Sequence, residues 1–450
     1  MRSRIVVLLI LLGLLRVAAP ANATLLCVEV LPGTPVELVV AAALPGAEIC
    51  FSPGVHRLSE PVRPKQGQTF TGRPGAVLSG AVPLTGFEAF GSTWRVARAY
   101  APLTPAGTCL PHVGDLCRHA ETVYVDDQPL RRAASPRSLT AGEFYADGAH
   151  VWLGADPAGR RVELSLTRAA FVGSATDVTI RNLVIEKFAN RAQVGALQCG
   201  ERWLVENNEV RLNHGIGVGG WTGSTIRRNH VHHNGQMGLS GQGRGILIEE
   251  NEIAFNNTAG FDPVWEAGGT KFVATTDLVV RRNHSHDNNG PGIWADIDNV
   301  NVTLEDNLVE ANRGPGIFAE IGYGAQISRN TVKRNGAGYR AWVPAGILVI
   351  STSDVVVSEN RVKGNRAGIF LINDGRDAGR LGTYELRDVL VTGNVIRMPR
   401  GRTGMADWAT PRGATGIQFR DNTYASPKRK PFAWNDRHLS RRAWRSAGHS

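Results

Sequence analysis

Between residues 208 and 394, apolar and polar positions alternate in short bursts rather than at helical spacing. The runs VENNEVRLN, IRRNHVHHN, IEENEIAFN, VRRNHSHDN, LEDNLVEAN, ISRNTVKRN and VSENRVKGN share one layout. An Asn sits three residues after an apolar residue, and a second Asn follows five further on. The first set is Asn208, Asn229, Asn251, Asn283, Asn307, Asn330 and Asn360, and the second is Asn213, Asn234, Asn256, Asn288, Asn312, Asn335 and Asn365. A Gly-plus-apolar run usually follows, as at Gly292-Ile293 and Gly316-Ile317. The period-two alternation predicts strands. A unit recurring every roughly 21 to 25 residues predicts a solenoid. Val280, Ser285 and Ile293 are expected inward in one coil, and Leu304, Val309 and Ile317 in the next.

Three short strands per coil, bent at Asn and Gly, describe an all-β chain wound as a single-stranded right-handed parallel β-helix. The Asn side chains are expected to stack along the coils and to take the left-handed backbone that each sharp bend needs. This repeat resembles the pectin-lyase-like right-handed parallel β-helix superfamily, over about 170–424 and more faintly over 66–96. The resemblance fixes an expected fold and leaves function open, because such folds host lyases, hydrolases, epimerases and binders.

The rest of the chain divides around the solenoid. Residues 1–23 read as a secretory signal: Arg2 and Arg4, then an apolar run from Ile5 to Leu15, then Ala21-Asn22-Ala23 as a cleavage site. That run is too short to span a bilayer. Residues 24–165 are expected to hold the first coils plus an inserted β-rich subdomain, where VYVDDQPL, GEFYADGAHVWLG and RRVELSL read as hairpin strands covering the N-terminal end. The helix proper is assigned to 166–424. A basic cap follows at 425–450, with Trp434, Trp444 and a short helix capped by Ser440.

Five cysteines follow the signal, and an exported chain can oxidise them. Cys109 and Cys117 bracket a Pro/Gly loop and are assigned as a pair, with Cys27 and Cys50 second; Cys199 is left over. No cysteine spacing suggests zinc. The net charge of +10 and pI near 9.7 suit an anionic partner. Without a nucleic-acid motif, and with export, that partner is a polysaccharide or cell-surface glycan rather than nucleic acid. The expectation is a secreted or periplasmic monomer that does not span a membrane.

Charge along the coils separates structure from candidate chemistry. Aligned on the first Asn, outward positions run Glu206, Arg227, Glu249, Arg281, Glu305 and Arg228, Glu250, Arg282, Asp306, Arg329, Glu359. Alternating signs on neighbours about 4.8 Å apart form a surface ion ladder. His230 and His284 alternate with Glu209 and Glu252 and fall under the same reading; His286, beside Asp287 and near Glu310, is a lesser catalytic candidate. The third strand breaks the alternation, placing Lys271, Asp296 and Glu320 on consecutive coils with Trp294 and Phe318 between them. Two coils are long, and their insertions carry Phe261, Asp262, Trp265 and Glu266, then Tyr339, Arg340 and Trp342. Both should rise at one corner and flank a trough with an aromatic floor, where sugar rings stack. A third insertion at 373–386 forms the opposite rim.

The resemblance implies a substrate groove along one outer strand face, bordered by such loops. It transfers no catalytic signature: there is no polygalacturonase aspartate pair with HG and RIK segments and no alginate-epimerase DPHD run, and GIWADID only echoes the pectate-lyase WiDH segment. Two chemistries remain for an acidic polysaccharide. In β-elimination Lys271 is the base, and Arg340, or calcium held by Asp296 and Glu320, neutralises the uronate. In hydrolysis Asp296 and Glu320 are the carboxyl pair, at a spacing that suits retention. Epimerase chemistry stays open, and the competing reading is a non-catalytic glycan-binding or envelope scaffold protein. Trp265, Glu266, Trp294, Phe318, Tyr339 and Trp342 are the expected sugar contacts.

Overall fold

The computed structural model describes residues 27–338, 342–409 and 413–450. The signal segment 1–23, Tyr339 and Arg340 therefore lie outside the described residues.

Parallel strands stack into three faces. On the first face one inward column runs Ile49, Phe70, Ile180, Val205, Ile226, Ile248, Val280, Leu304, Ile327, Val357, Val391 and Phe419, each in register with the next. The second face is a 12-stranded sheet whose inward column includes Ile185, Val210, Val231, Ile253, Ser285 and Val309. The third face carries Ile293, Ile317, Ile347 and Ile369 in register. These columns meet in one continuous core. Ser285 points inward as expected, and its hydroxyl donates to the Gly292 carbonyl at 2.9 Å.

The Asn columns form the corners. In each, the backbone N–H and the side-chain Nδ2 both donate to Oδ1 of the Asn one coil on, as from Asn283 to Asn307 at 3.0 and 3.1 Å. Nδ2 also reaches a carbonyl of the preceding coil, Ile248. The left-handed residue is not the Asn, as the sequence suggested, but the one before it: Arg228, Glu250, Arg282, Asp306, Arg329 and Glu359 have φ of 53 to 58°. That twist turns the Asn inward, where its amide can bridge coils. A non-glycine left-handed residue costs about 1–2 kcal/mol, and the buried ladder offsets it.

The solenoid begins at Val28–Val30, and the first coils join the later ones directly: Phe70 pairs with Ile180 and Leu78 with Ile185. The inserted subdomain leaves after Ser79 and returns before Thr179. It holds a four-stranded and a five-stranded sheet around a core of Val123, Phe144, Val151 and Leu164. It does not cover the N-terminal end. It lies along the side, where Tyr124 donates to the Leu212 carbonyl at 2.7 Å and the Leu110 N–H to Gly260 at 2.9 Å. The helix Val36–Ala42 instead buries Val36 and Val40 against the first coil. At the far end Trp444, on the helix Arg441–Ser446 capped by Ser440, stacks on Phe432 at 4.5 Å. Cys27 bonds Cys50 and Cys109 bonds Cys117, while Cys199 is a buried thiol whose pKa burial pushes up. Among the described residues no helix is long and apolar enough to cross a membrane.

Candidate functional site

The first face carries the ion ladder: Glu206 takes Arg227 and Arg228 at 2.8 and 3.1 Å, and Glu249 takes Arg281 and Arg282 at 2.9 and 2.7 Å. The third face does not. There the long coil first turns at Asp262, whose carboxylate accepts the Val264 N–H at 2.9 Å and starts the single turn Pro263–Glu266. This brings Glu266 back over the strand Gly268–Thr276. Lys271 on that strand meets Glu266 at 3.0 Å and Asp296, one coil on, at 2.8 Å. Its ammonium also lies 4.1 Å from the Trp294 ring centroid.

Glu320 lies one coil further. Trp294 pairs with Phe318 and Ala295 with Ala319, so Asp296 and Glu320 are neighbours across parallel strands about 4.8 Å apart. Arg376, from the third insertion, reaches Glu320 at 2.7 Å and is itself held by Asp374 at 2.6 Å. The same insertion is pinned by Asp298, which accepts from the Arg380 N–H at 2.9 Å and the Tyr384 hydroxyl at 2.8 Å. Lys271, Asp296 and Glu320 are thus only 4, 5 and 5% exposed.

Burial raises the Asp296 pKa, with Lys271 pulling against it. Burial, then the Asp296 charge, pushes Glu320 up to about 7. The Arg376 contact opposes that rise, but its guanidinium is 43% exposed and water weakens its pull. Asp296 Oδ1 is buried without a hydrogen-bond partner among the described residues. Two neighbouring carboxyls therefore share a dry site in which one is poised to keep its proton.

The expected aromatic trough is corrected. Trp294 and Phe318 stack at 5.3 Å, but they are 1 and 0% exposed. Trp342 packs edge-on against both, at 5.2 and 5.4 Å, within a cluster that includes Leu348, Phe370 and Ile372. Trp342 covers them because two large outward rings are costly to leave in water. Trp265 is separated from them: it stacks on Phe261 and packs beside Gly107 of the inserted subdomain. Lys271, Glu266, Asp296 and Glu320 are brought together, and Trp265 is not among them.

Sequence reasoning missed Arg376 and also a cleft of about 1010 Å³ between the inserted subdomain and the coils, lined by His119, Glu121, Arg132, His214 and Arg313 among others. Burial lowers the His214 pKa to about 4. These residues are scattered in sequence, and only the sideways docking of the insertion assembles them.

Two family models match parts of the chain: a right-handed beta helix region over 168–343, and periplasmic copper-binding protein (NosD) over 263–424. The structure of XylC in complex with xylose superposes with a TM-score of 0.68, over 88% of this chain and 83% of that one, at 14% identity. The chain has the right-handed parallel β-helix fold. Two further structures superpose less well than XylC. The A-module of the Azotobacter vinelandii mannuronan C-5 epimerase AlgE4 has a TM-score of 0.48 at 11% identity, covering 90% of this chain and 96% of its own. PfbA, a surface adhesin of Streptococcus pneumoniae, has 0.46 at 12%, covering 91 and 92%. No curated protein sequence matches this β-helix chain.

Proposed function

We propose that this is an exported carbohydrate-active enzyme that hydrolyses glycosidic bonds with retention, Asp296 acting as nucleophile and Glu320 as general acid, then base. The observation that carries the reading is the pair of buried carboxyls on adjacent strands, with Glu320 pushed up to about 7. A retaining pair needs its carboxyls about 5–5.5 Å apart and one of them protonated at the start. Lys271 then stabilises the Asp296 carboxylate. Held by two carboxylate oxygens, at 3.0 and 2.8 Å, it is engaged as a counter-charge and is poorly placed to abstract a proton, which disfavours β-elimination. Calcium fits poorly too: it takes 6–8 oxygen ligands, and here an ammonium and a guanidinium already face the two acids.

The most exposed side chains of the cluster are Glu266 and Arg376, at 25 and 43%, so a substrate would approach the acids past these two groups. The +10 charge favours an acidic glycan. XylC was solved with xylose, so xylose-based substrates join uronate oligosaccharides in the screen. The two disulfides suit an oxidising compartment, in keeping with export.

The test is turnover of aryl glycosides and oligosaccharides from both classes, with the product anomer followed by NMR. The expected result is retained configuration, with Asp296→Asn and Glu320→Gln each losing at least a hundredfold in kcat, a floor set by the usual worth of a positioned acid or base. An unsaturated product absorbing near 235 nm would replace hydrolysis with elimination. Binding without turnover would make the protein a glycan binder. Either result overturns the reading.

A further inference from the structure

The second face carries a set of side chains that the acid pair does not use. Its outward columns run Glu209, His230, Glu252, His284 and, beside them, Arg211, His232, Ala254, His286, Glu310, each in register with the next. Elsewhere the bases of such ladders are arginines. Here they are imidazoles, whose ring nitrogens can serve as metal ligands. Glu252, His284 and His286 offer ligand atoms that all lie within 4.8 Å of one another. His286 Nε2 is 3.1 Å from Glu252 Oε1. His230 Nε2 stands 3.9 Å from the same carboxylate, on the other side.

Two further features prepare this cluster. Asp287 lies 2.8 Å from His286 Nδ1 while Nε2 faces Glu252, so an ion placed between Nε2 and the Glu252 carboxylate would find the ring already held from behind; such carboxylate–histidine pairs orient metal-bound imidazoles. The Glu252 side chain is 47% exposed, so coordination positions remain open to water.

We propose that Glu252, His284 and His286, with His230 as a fourth group, bind a divalent transition ion on the outer second face. Imidazole with one carboxylate suits zinc, cobalt, nickel and copper rather than calcium or magnesium. Bonds of about 2.0–2.2 Å to nitrogen and oxygen require the ligand atoms to close by roughly an ångström, which rotation of the exposed Glu252 and of the half-buried His284, away from Glu310 at 3.2 Å, provides. The ion would tie three consecutive coils together, and it would do so independently of the proposed hydrolysis.

The experiment uses the untagged full chain, stripped with chelator, at pH 7.5. Zinc is titrated by calorimetry, and cobalt by its visible absorption, which reports nitrogen ligation directly. The expected result is stoichiometric uptake, a rise in Tm with zinc, and at least a tenfold loss of affinity in Glu252→Gln and in His284→Ala/His286→Ala. The exposed C-terminal His438→Ala should leave binding unchanged. Absence of uptake, or uptake that the Glu252 and His284/His286 variants retain in full while still folded by circular dichroism, overturns the proposal and leaves these groups as an ion ladder.

Discussion

Replacing Glu320 by Gln should make the protein more stable at alkaline pH, not less. Gln keeps the shape of the neutral acid and removes its charge. The folded pKa of about 7 lies above the ordinary 4.5, so the protonated form is the one the fold prefers. Its contribution is fully present below about 4.5 and is lost as pH rises through about 7. At about 1.4 kcal/mol per pH unit, ionising this carboxyl in place costs about 3 kcal/mol, and Gln avoids that cost. Loss of the Arg376 contact subtracts less than about 1 kcal/mol, since that guanidinium is half in water. Thermal denaturation of wild type and Glu320→Gln should therefore coincide near pH 4.5. By pH 8 they should separate by about 2–3 kcal/mol, or roughly 2–6 °C in so large a chain. A difference that stays flat from pH 4.5 to 8, or a variant less stable at pH 8, would refute the argument that burial and Asp296 outweigh Arg376.

Lys271→Met should cost about 3–5 kcal/mol, because it strands Asp296 and Glu266 without their counter-charge. The loss should grow with pH, since Asp296 then ionises unopposed, and adding Asp296→Asn should recover part of it in the same melting assay. Trp294→Ala should lower stability by about 3–5 kcal/mol as a buried cavity; a change below 1 kcal/mol would mean that the ring is exposed after all. Asn288→Ala removes the link between Asn256 and Asn312 and should cost about 2–4 kcal/mol, with faster hydrogen exchange confined to the neighbouring coils. Arg376→Met should move the alkaline limb of the pH–rate profile upward by removing the positive charge that, ahead of Lys271, holds Glu320 down.

The solenoid was legible because the repeat states it many times over: a strand whose register is fixed on both sides leaves its inward positions little choice. The third-face charges were legible for the opposite reason. Lys271, Asp296 and Glu320 depart from the alternation that the charged first-face columns keep from Glu206 to Glu305. Trp294 and Phe318 were read as exposed because they point away from the coil interior. Whether an outward ring meets water depends on whether a loop folds over it, and nothing in the period encodes the descent of Trp342. Arg376 was missed because the length of an insertion gives no direction to its side chains. The left-handed bend was assigned to Asn by residue preference, whereas the inward pull of the amide ladder places it one residue earlier. The His119–His214 cleft depends on how the inserted subdomain docks, which the sequence pattern leaves open.

The Asn ladder has a consequence for what can change in this protein. Asn208 and Asn229 are 21 residues apart and hydrogen-bond at 3.1 Å; Asn251 and Asn283 are 32 apart and do so at 3.0 Å; Asn360 and Asn394 are 34 apart and do so at 2.9 Å. The ladder does not register how much chain lies between its rungs. By loop-closure entropy, lengthening a coil from about 22 to 32 residues costs only about 0.3 kcal/mol, less than one typical surface substitution. Material can therefore be added at the corner beside the third face almost without penalty, while the rungs preserve the alignment of Asp296 with Glu320. Descendants of this chain are free to exchange the loops that choose a substrate while inheriting the spacing of the two acids unchanged.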